Sequence, residues 1–382
     1  MWKEHSLNSG YNQGDMARTT NDLRALAGQL LTFGFDGTEL TAPVARVLQE
    51  RHAGGIILFA RNIENPRQTH ALLKAAQKLS PVPLFRCVDM EGGTVDRLKN
   101  VVSAAPSAQE VFAAGGKAHF RQHGALIGAE VQALGFNVDF APVLDLRQEV
   151  STAVMGSRTV GDAKATVSYA RGFLAGLKSS GISGCGKHFP GLGEGAVDSH
   201  LGLPVVRKPW KALWNEDLVP YRELAGSLPM VMVAHCAYSA VTGEGLPASI
   251  SRKWIDGVLR KKIGYKGLVV SDDLEMGGVL KVRTIEEAAV ETIAAGADIY
   301  LVCHNLELVD RAGEAILKEA ERSKVFREKV TVAAGRVLAA KKRWASLKAK
   351  MAPVPSEATI HRLRQKLWAL AEEVRLTAAG RA

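Results

Sequence analysis

Long apolar runs are missing from this 382-residue chain. No stretch reaches the roughly 20 residues that a transmembrane helix needs, so no membrane span is expected. Cysteine is scarce. Cys87, Cys185, Cys236 and Cys303 lie far apart and form no CxxC pair, which argues against a disulfide framework or a cysteine-built zinc site. They read as small buried apolar side chains in a reducing compartment. Neither HxH nor HExxH occurs, so no metal is expected. No GxGxxG follows a strand and opens a helix, which weighs against a doubly wound dinucleotide fold, and no cofactor is expected. The first twenty residues, MWKEHSLNSGYNQGDMARTT, lack the apolar stretch of a secretory signal. They read as a disordered leader, with the cytoplasm as the expected location.

What is present is the composition of an ordinary soluble globular protein, 47% hydrophobic and 23% charged. The net charge of +10 is uneven, because residues 305–382 hold 17 Lys+Arg against 9 Asp+Glu. The run Lys341-Lys342-Arg343 through Lys350 concentrates it. A solvated helix face explains such a run. Nucleic acid or an anionic wall polymer is the alternative partner, but no aromatic residues interleave as a nucleic-acid site would want, so none is expected.

Short runs rich in Val, Ile, Leu and Phe recur between longer helix-like segments. Strands are expected near Leu31–Phe35, Gly55–Phe59, Leu84–Asp89, Asn137–Pro142, Ile182–His188, Met230–His235, Leu268–Asp272 and Asp298–Cys303. Helical spacing covers Gln109–Leu134, Ala163–Ser179 and Ile285–Ala295. Eight strands alternating with helices over about 300 residues fit an α/β fold, a single-domain (β/α)8 TIM barrel with extra C-terminal helices. The expected division is a leader over 1–20, a catalytic barrel over 21–350 and a helical extension over 351–382. Met351-Ala352-Pro353-Val354-Pro355 precedes the last amphipathic helix, over about Glu357–Leu376, which is expected to pack on the barrel or on a second subunit.

The ends of the expected strands are unusually polar, and a barrel's active site is built at the C-terminal ends of its strands. Asp89, Asp145, Lys187-His188, His235 and Asp272-Asp273 all fall there. Asp272 follows the apolar run Gly267–Val270 and is the best nucleophile candidate, while Asp273 reads as a capping acid. His200 is the best proton-transfer candidate, since an imidazole exchanges protons near neutral pH. Asp198 would orient it. Gly191, Gly193 and Gly195 supply the backbone freedom of a mobile loop between Lys187-His188 and that pair. Lys187, His188, Arg97 and Arg158 read equally as ligand donors or as partners of rim carboxylates. Asp89 suits bidentate binding of two sugar hydroxyls, and Glu91, against Gly92-Gly93, reads as structural.

The segment Lys187-His188-Phe189-Pro190-Gly191-Leu192-Gly193, four residues, then Asp198-Ser199-His200 meets in full the pattern K-H-[FI]-P-G-[HL]-G-x4-D-[ST]-H. From about residue 28 to 345 the chain resembles the β-N-acetylglucosaminidases of glycoside hydrolase family 3, NagZ type. GGIILFARNI (54–63), VDMEGGTVDRL (88–98), NVDFAPVLDL (137–146), MGSRTVG (155–161), VAHCAYSAV (233–241), LPASISRKWI (246–255) and VVSDDLEMGG (269–278) extend the likeness. The resemblance implies Asp272 as nucleophile, His200 as general acid/base oriented by Asp198, and Asp89, Arg97, Arg158, Lys187 and His188 as substrate contacts. Thr94 and Asp96 depart from the family's Arg and Gln. Both flank Arg97 and are expected to lie outside the sugar pocket.

The implied reaction is retaining removal of terminal β-linked N-acetylglucosamine. The implied substrate is a small-molecule saccharide, an N-acetylglucosaminyl-anhydromuramyl peptide from peptidoglycan recycling, handled by a monomer or weak dimer. Usual retaining sites pair two carboxylates about 5–5.5 Å apart. A His–Asp dyad here repels an anion less, so phosphorolysis at the same site is an alternative. A metal-dependent barrel hydrolase using His188, His200, His235 and Asp272, and a non-catalytic sugar-binding barrel, are the rivals from other classes.

Overall fold

The computed structural model describes residues 22–149, 155–192, 202–242 and 245–380. Eight strands form in chain order: β1 (Leu31–Phe33), β2 (Gly55–Ile57), β3 (Phe85–Val88), β4 (Val138–Asp139), β5 (Ser183–Phe189), β6 (Met230–Val233), β7 (Leu268–Asp273) and β8 (Ile299–Val302). Each pairs in parallel with the next, and β8 pairs with β1, which closes a (β/α)8 barrel. All eight start within a residue of where the apolar runs placed them, and their C-terminal ends differ by up to three residues. A parallel strand sealed by helices outside and by the lumen inside is apolar on both faces, and this makes such runs continuous in sequence.

One buried cluster gathers Ile57, Phe85, Cys87, Val138, Cys185, Met230, Val270 and Leu301 from seven of the strands and fills the lumen. All four cysteines are buried and free. The helices Ala163–Ser179 and Ile285–Ala295 have the bounds that their spacing predicts. Asp162 caps the first by accepting from the Ala165 N–H. Thr284 and Glu287 form a capping box on the second, which Gly296 ends at φ +113°.

Two expectations need correction. The single helix over Gln109–Leu134 is two, Ala108–Ala114 and Lys117–Ala133, because Gly115 and Gly116 sit at φ +70° and +88° between them. Apolar spacing continues on both sides of the break and hides it. The basic run is also not wholly a solvated face. The helix Lys324–Arg343 crosses the N-terminal mouth of the barrel, where Val337, Ala340 and Leu347 join the lumen cluster. Lys341 is buried there, donating to Gln29 Oε1 (2.8 Å) and the Gly54 carbonyl (2.7 Å), with Nζ 4.9 Å from the Phe85 ring centre.

The last helix, Glu357–Ala379, buries Ile360, Leu363, Leu367, Leu370 and Val374 against the helices Ala108–Ala114 and Lys117–Ala133. Arg364 fixes it by donating to the carbonyls of Val101 and Val102. Among the described residues, no helix is long and apolar enough to cross a membrane.

Candidate active site

The C-terminal ends of β2, β3 and β5–β8 surround a cavity of about 220 Å³. Asp89, Arg97, Arg158, Lys187, His188 and Asp272 all line it. Strand direction explains the convergence of Asp89, Lys187, His188 and Asp272, which end apolar strands, while Arg97 and Arg158 reach the cavity from the loops after β3 and β4. Asp198 and His200 lie outside the described residues.

Lys187, near the end of β5, is buried and donates to Asp89 Oδ1 (2.8 Å) and to Glu91 Oε1 (2.6 Å). Arg158 grips Glu91 with two parallel bonds, Nε to Oε2 at 2.7 Å and a terminal nitrogen to Oε1 at 2.9 Å. Such a fork fixes both groups in orientation. Burial alone would raise the Glu91 carboxyl, but Arg158 and Lys187 hold it well below the usual carboxylate range. Lys187 is shifted the opposite way. Burial alone would lower it, and Asp89 and Glu91 raise it above an ordinary lysine.

Asp272 sits near the end of β7 with Oδ1 accepting from the Asp273 N–H at 2.9 Å. Burial would raise its pKa, yet the His188 and His235 rings, the Asp273 N–H and Lys187 together hold it below the ordinary Asp value. It is therefore a carboxylate at neutral pH, fixed on a rigid element. Asp273 instead accepts from the Glu275 N–H at 3.1 Å and caps the turn after the strand, as expected of it.

His188 is positioned by Asp145, whose Oδ2 accepts from His188 Nδ1 at 2.7 Å and from the His188 N–H at 3.1 Å. A carboxylate only accepts, so Nδ1 is the donor. The other oxygen of Asp145 accepts from the Leu192 N–H at 2.6 Å, and Tyr238 Oη donates to the Gly191 carbonyl at 2.6 Å. The start of the glycine-rich loop is thereby clamped. Gly191 has φ +127°, and a Cβ there would lie 2.9 Å from Asp217 Cβ.

Arg97 Nε is buried without a hydrogen-bond partner among the described residues. The guanidinium lies 3.9 Å from Asp89 Oδ2 and 5.7 Å from the centre of the Phe59 ring. A buried donor without an acceptor is costly, and a ligand oxygen in the cavity would relieve it. Thr94 is exposed and Asp96 is buried with its oxygens on the Leu98 and Ala105 N–H groups. Neither lines the cavity.

The partners of two polar residues, and the presence of a third, were not read from the sequence. Glu91, read as structural, is the counter-charge that binds Lys187 and Arg158 together. Asp145 orients His188. His304 lines the cavity, stacked on Phe59 with ring centres 5.5 Å apart and with Nδ1 3.7 Å from Asp273 Oδ2. Asp145 and Glu91 left a signal, as acids at the ends of apolar runs, but their partners lie far off in sequence.

Residues 22–340 match the family model Glycosyl hydrolase family 3 N terminal domain. The chain belongs to glycosyl hydrolase family 3. Its similarity to individual family members is substantial. A protein named Beta-hexosaminidase from Alkalilimnicola ehrlichii is 39% identical over 286 residues, covering 73% of this chain and 82% of that one. A Beta-hexosaminidase from Pseudomonas aeruginosa is 38% identical over 298 residues, covering 77% and 87%. The solved structure of a glycoside hydrolase family 3 beta-N-acetylglucosaminidase from Paenibacillus sp. str. FPU-7 superposes with a TM-score of 0.87 at 35% identity, over 92% of this chain and 68% of that one. As a family 3 member the chain is a glycoside hydrolase.

Proposed function

We propose that this glycoside hydrolase is a retaining β-N-acetylglucosaminidase of the NagZ type. It removes terminal β-linked N-acetylglucosamine from cytoplasmic anhydro-muropeptides. The observation that carries the reading is Asp272, an ionised carboxylate on the end of β7 that lines one cavity with Asp89, Arg97, Arg158, Lys187 and His188. The similar proteins named above support the N-acetylhexosamine part.

In the first step Asp272 attacks the anomeric carbon and forms the glycosyl ester, while His200, protonated and oriented by Asp198, gives its proton to the departing glycosidic oxygen. Neutral His200 then takes a proton from water as that water attacks the same carbon. The Asp272 ester breaks, the sugar leaves with its configuration retained, and His200 is again protonated. Lys187 and Asp89 supply a donor and an acceptor side by side for vicinal hydroxyls. Arg97 and Arg158 add donors on the same wall.

The test compares 4-nitrophenyl β-N-acetylglucosaminide with the corresponding β-glucoside and follows the released sugar by NMR. Preferential release of β-N-acetylglucosamine as the first product is expected. Release of the α-anomer, or equal rates on both substrates, overturns the assignment. Running it with and without phosphate also detects a sugar 1-phosphate, the product that would make the enzyme a phosphorylase.

A further inference from the structure

We propose that the N-terminal mouth of the barrel is a second binding site, for a phosphate-bearing small molecule with a planar ring, of the nucleotide kind. A cavity of about 940 Å³ opens there, at the end of the barrel opposite Asp272. Its volume falls within the roughly 300–1,000 Å³ of small-molecule sites. The walls are the N-terminal ends of β5 and β7, the turn before β6, and the C-terminal half of the helix Lys324–Arg343 with Trp344 beyond it.

Charge identifies the ligand class. Arg171, Lys178, Lys266, Arg336 and Arg343 border the cavity, and no carboxylate does. Arg171 has Glu223 at 3.9 Å, and Arg336 spends its Nε on Asp298 at 2.6 Å. Lys178, Lys266 and Arg343 have no acidic partner among the described residues, and the glycosidase reaction uses none of the five. Basic side chains on an open helix face are solvated. Gathered round a concavity with apolar walls, they focus a positive potential into it.

That potential repels cations. A neutral sugar is also a poor fit, since hydroxyl groups want acceptors such as Asp89 and the lining offers no carboxylate. A bare inorganic anion would satisfy the cations but leave the apolar wall of Leu174, Ile182, Leu228 and Leu268 facing water. Half-buried Trp344, beside Arg343, packs against Phe85 with ring centres 6.0 Å apart. An indole at the cavity wall offers a planar ligand a stacking surface, and the guanidinium groups of Arg336 and Arg343 suit phosphate oxygens.

Calorimetric titration of the full chain in low-salt, phosphate-free buffer decides the matter, with ADP, inorganic pyrophosphate and N-acetylglucosamine as probes. Saturable ADP binding is expected, at least about 10-fold tighter than pyrophosphate, and weakened at least about 10-fold when Lys178→Glu and Arg343→Glu reverse two contacts. Asp272→Asn should leave ADP binding unchanged, and the Glu pair should leave N-acetylglucosamine binding unchanged. The proposal is overturned if ADP does not bind at millimolar concentration, if pyrophosphate binds as tightly, or if the Glu variant binds ADP as the parent does.

Discussion

Two of the buried lysines sit at opposite ends of this barrel, and the barrel treats them in opposite ways. Lys187 lies at the catalytic rim between Asp89 and Glu91, and Lys341 lies at the N-terminal mouth against Gln29, the Gly54 carbonyl and the Phe85 ring. Burial disfavours the ammonium of both. At the rim two carboxylates outweigh burial and lift Lys187 above an ordinary lysine. At the mouth nothing anionic touches Lys341, and burial pushes it down to about 7. A neutral amine has two N–H groups, and Lys341 has two acceptors. Position within one fold thus decides whether a buried lysine serves as a fixed charge or gives up its proton near neutrality. The rim is organised around paired charges, while at the mouth Lys341 meets only neutral acceptors.

The comparison breaks most sharply at Asp272. Asp272→Asn removes the nucleophile but keeps the shape of the strand end, so kcat on 4-nitrophenyl β-N-acetylglucosaminide should fall at least about 10³-fold. Reversing Arg343 at the other mouth should leave kcat within about twofold, as expected of a charge remote from the reacting atoms. Steady-state kinetics on the two variants give the answer. Comparable losses would mean that the two ends are not separate in function.

Glu91→Gln tests whether the rim's charges act as one unit. The substitution leaves Lys187 and Arg158 buried with less than their counter-charge, which costs about 3–5 kcal/mol. Urea unfolding should show that loss at neutral pH, together with a higher KM. The pH dependence has a definite sign. Glu91 is held below its ordinary value in the folded state, so its contribution is whole above the unfolded pKa of about 4.3 and is lost as pH falls below it. The stability gap between parent and variant should be flat from pH 5 to 8 and narrow only in acid. A gap that closes near neutrality would mean Glu91 carries no charge there.

How much of this was legible follows from where the partners lie in the chain. The strands were readable because both faces of each are buried, which leaves continuous apolar runs. Asp272, Lys187 and His188 were readable as polar groups that end such runs. The pairing of Glu91 with Arg158 spans 67 residues, and that of Asp145 with His188 spans 43. No local pattern carries such a pairing, so Glu91 looked like a turn residue. Helical periodicity on both sides of Gly115-Gly116 concealed a break that only the positive φ angles reveal. Lys341 misled for a related reason. Between neighbouring bases it reads as solvent-facing, and only closure of the barrel shows that a helix must cover the lumen just there.

The smallest expected effect concerns Lys341 and refines the comparison. Its folded pKa is lowered while the unfolded chain keeps an ordinary lysine near 10.4, so between those values the unfolded state holds the extra proton. Stability from this group therefore rises with pH across that window, by about 2 kcal/mol between pH 7 and 9. Lys341→Met keeps the apolar length and removes the titration. Other ionisable groups largely cancel when the two proteins are compared by urea unfolding at each pH. The parent should gain about 2 kcal/mol on the Met variant between pH 7 and 9. A constant difference over that range would mean that Gln29, Gly54 and the Phe85 ring hold an ammonium after all. The two ends of the barrel would then differ in how they stabilise a buried charge rather than in whether they keep one.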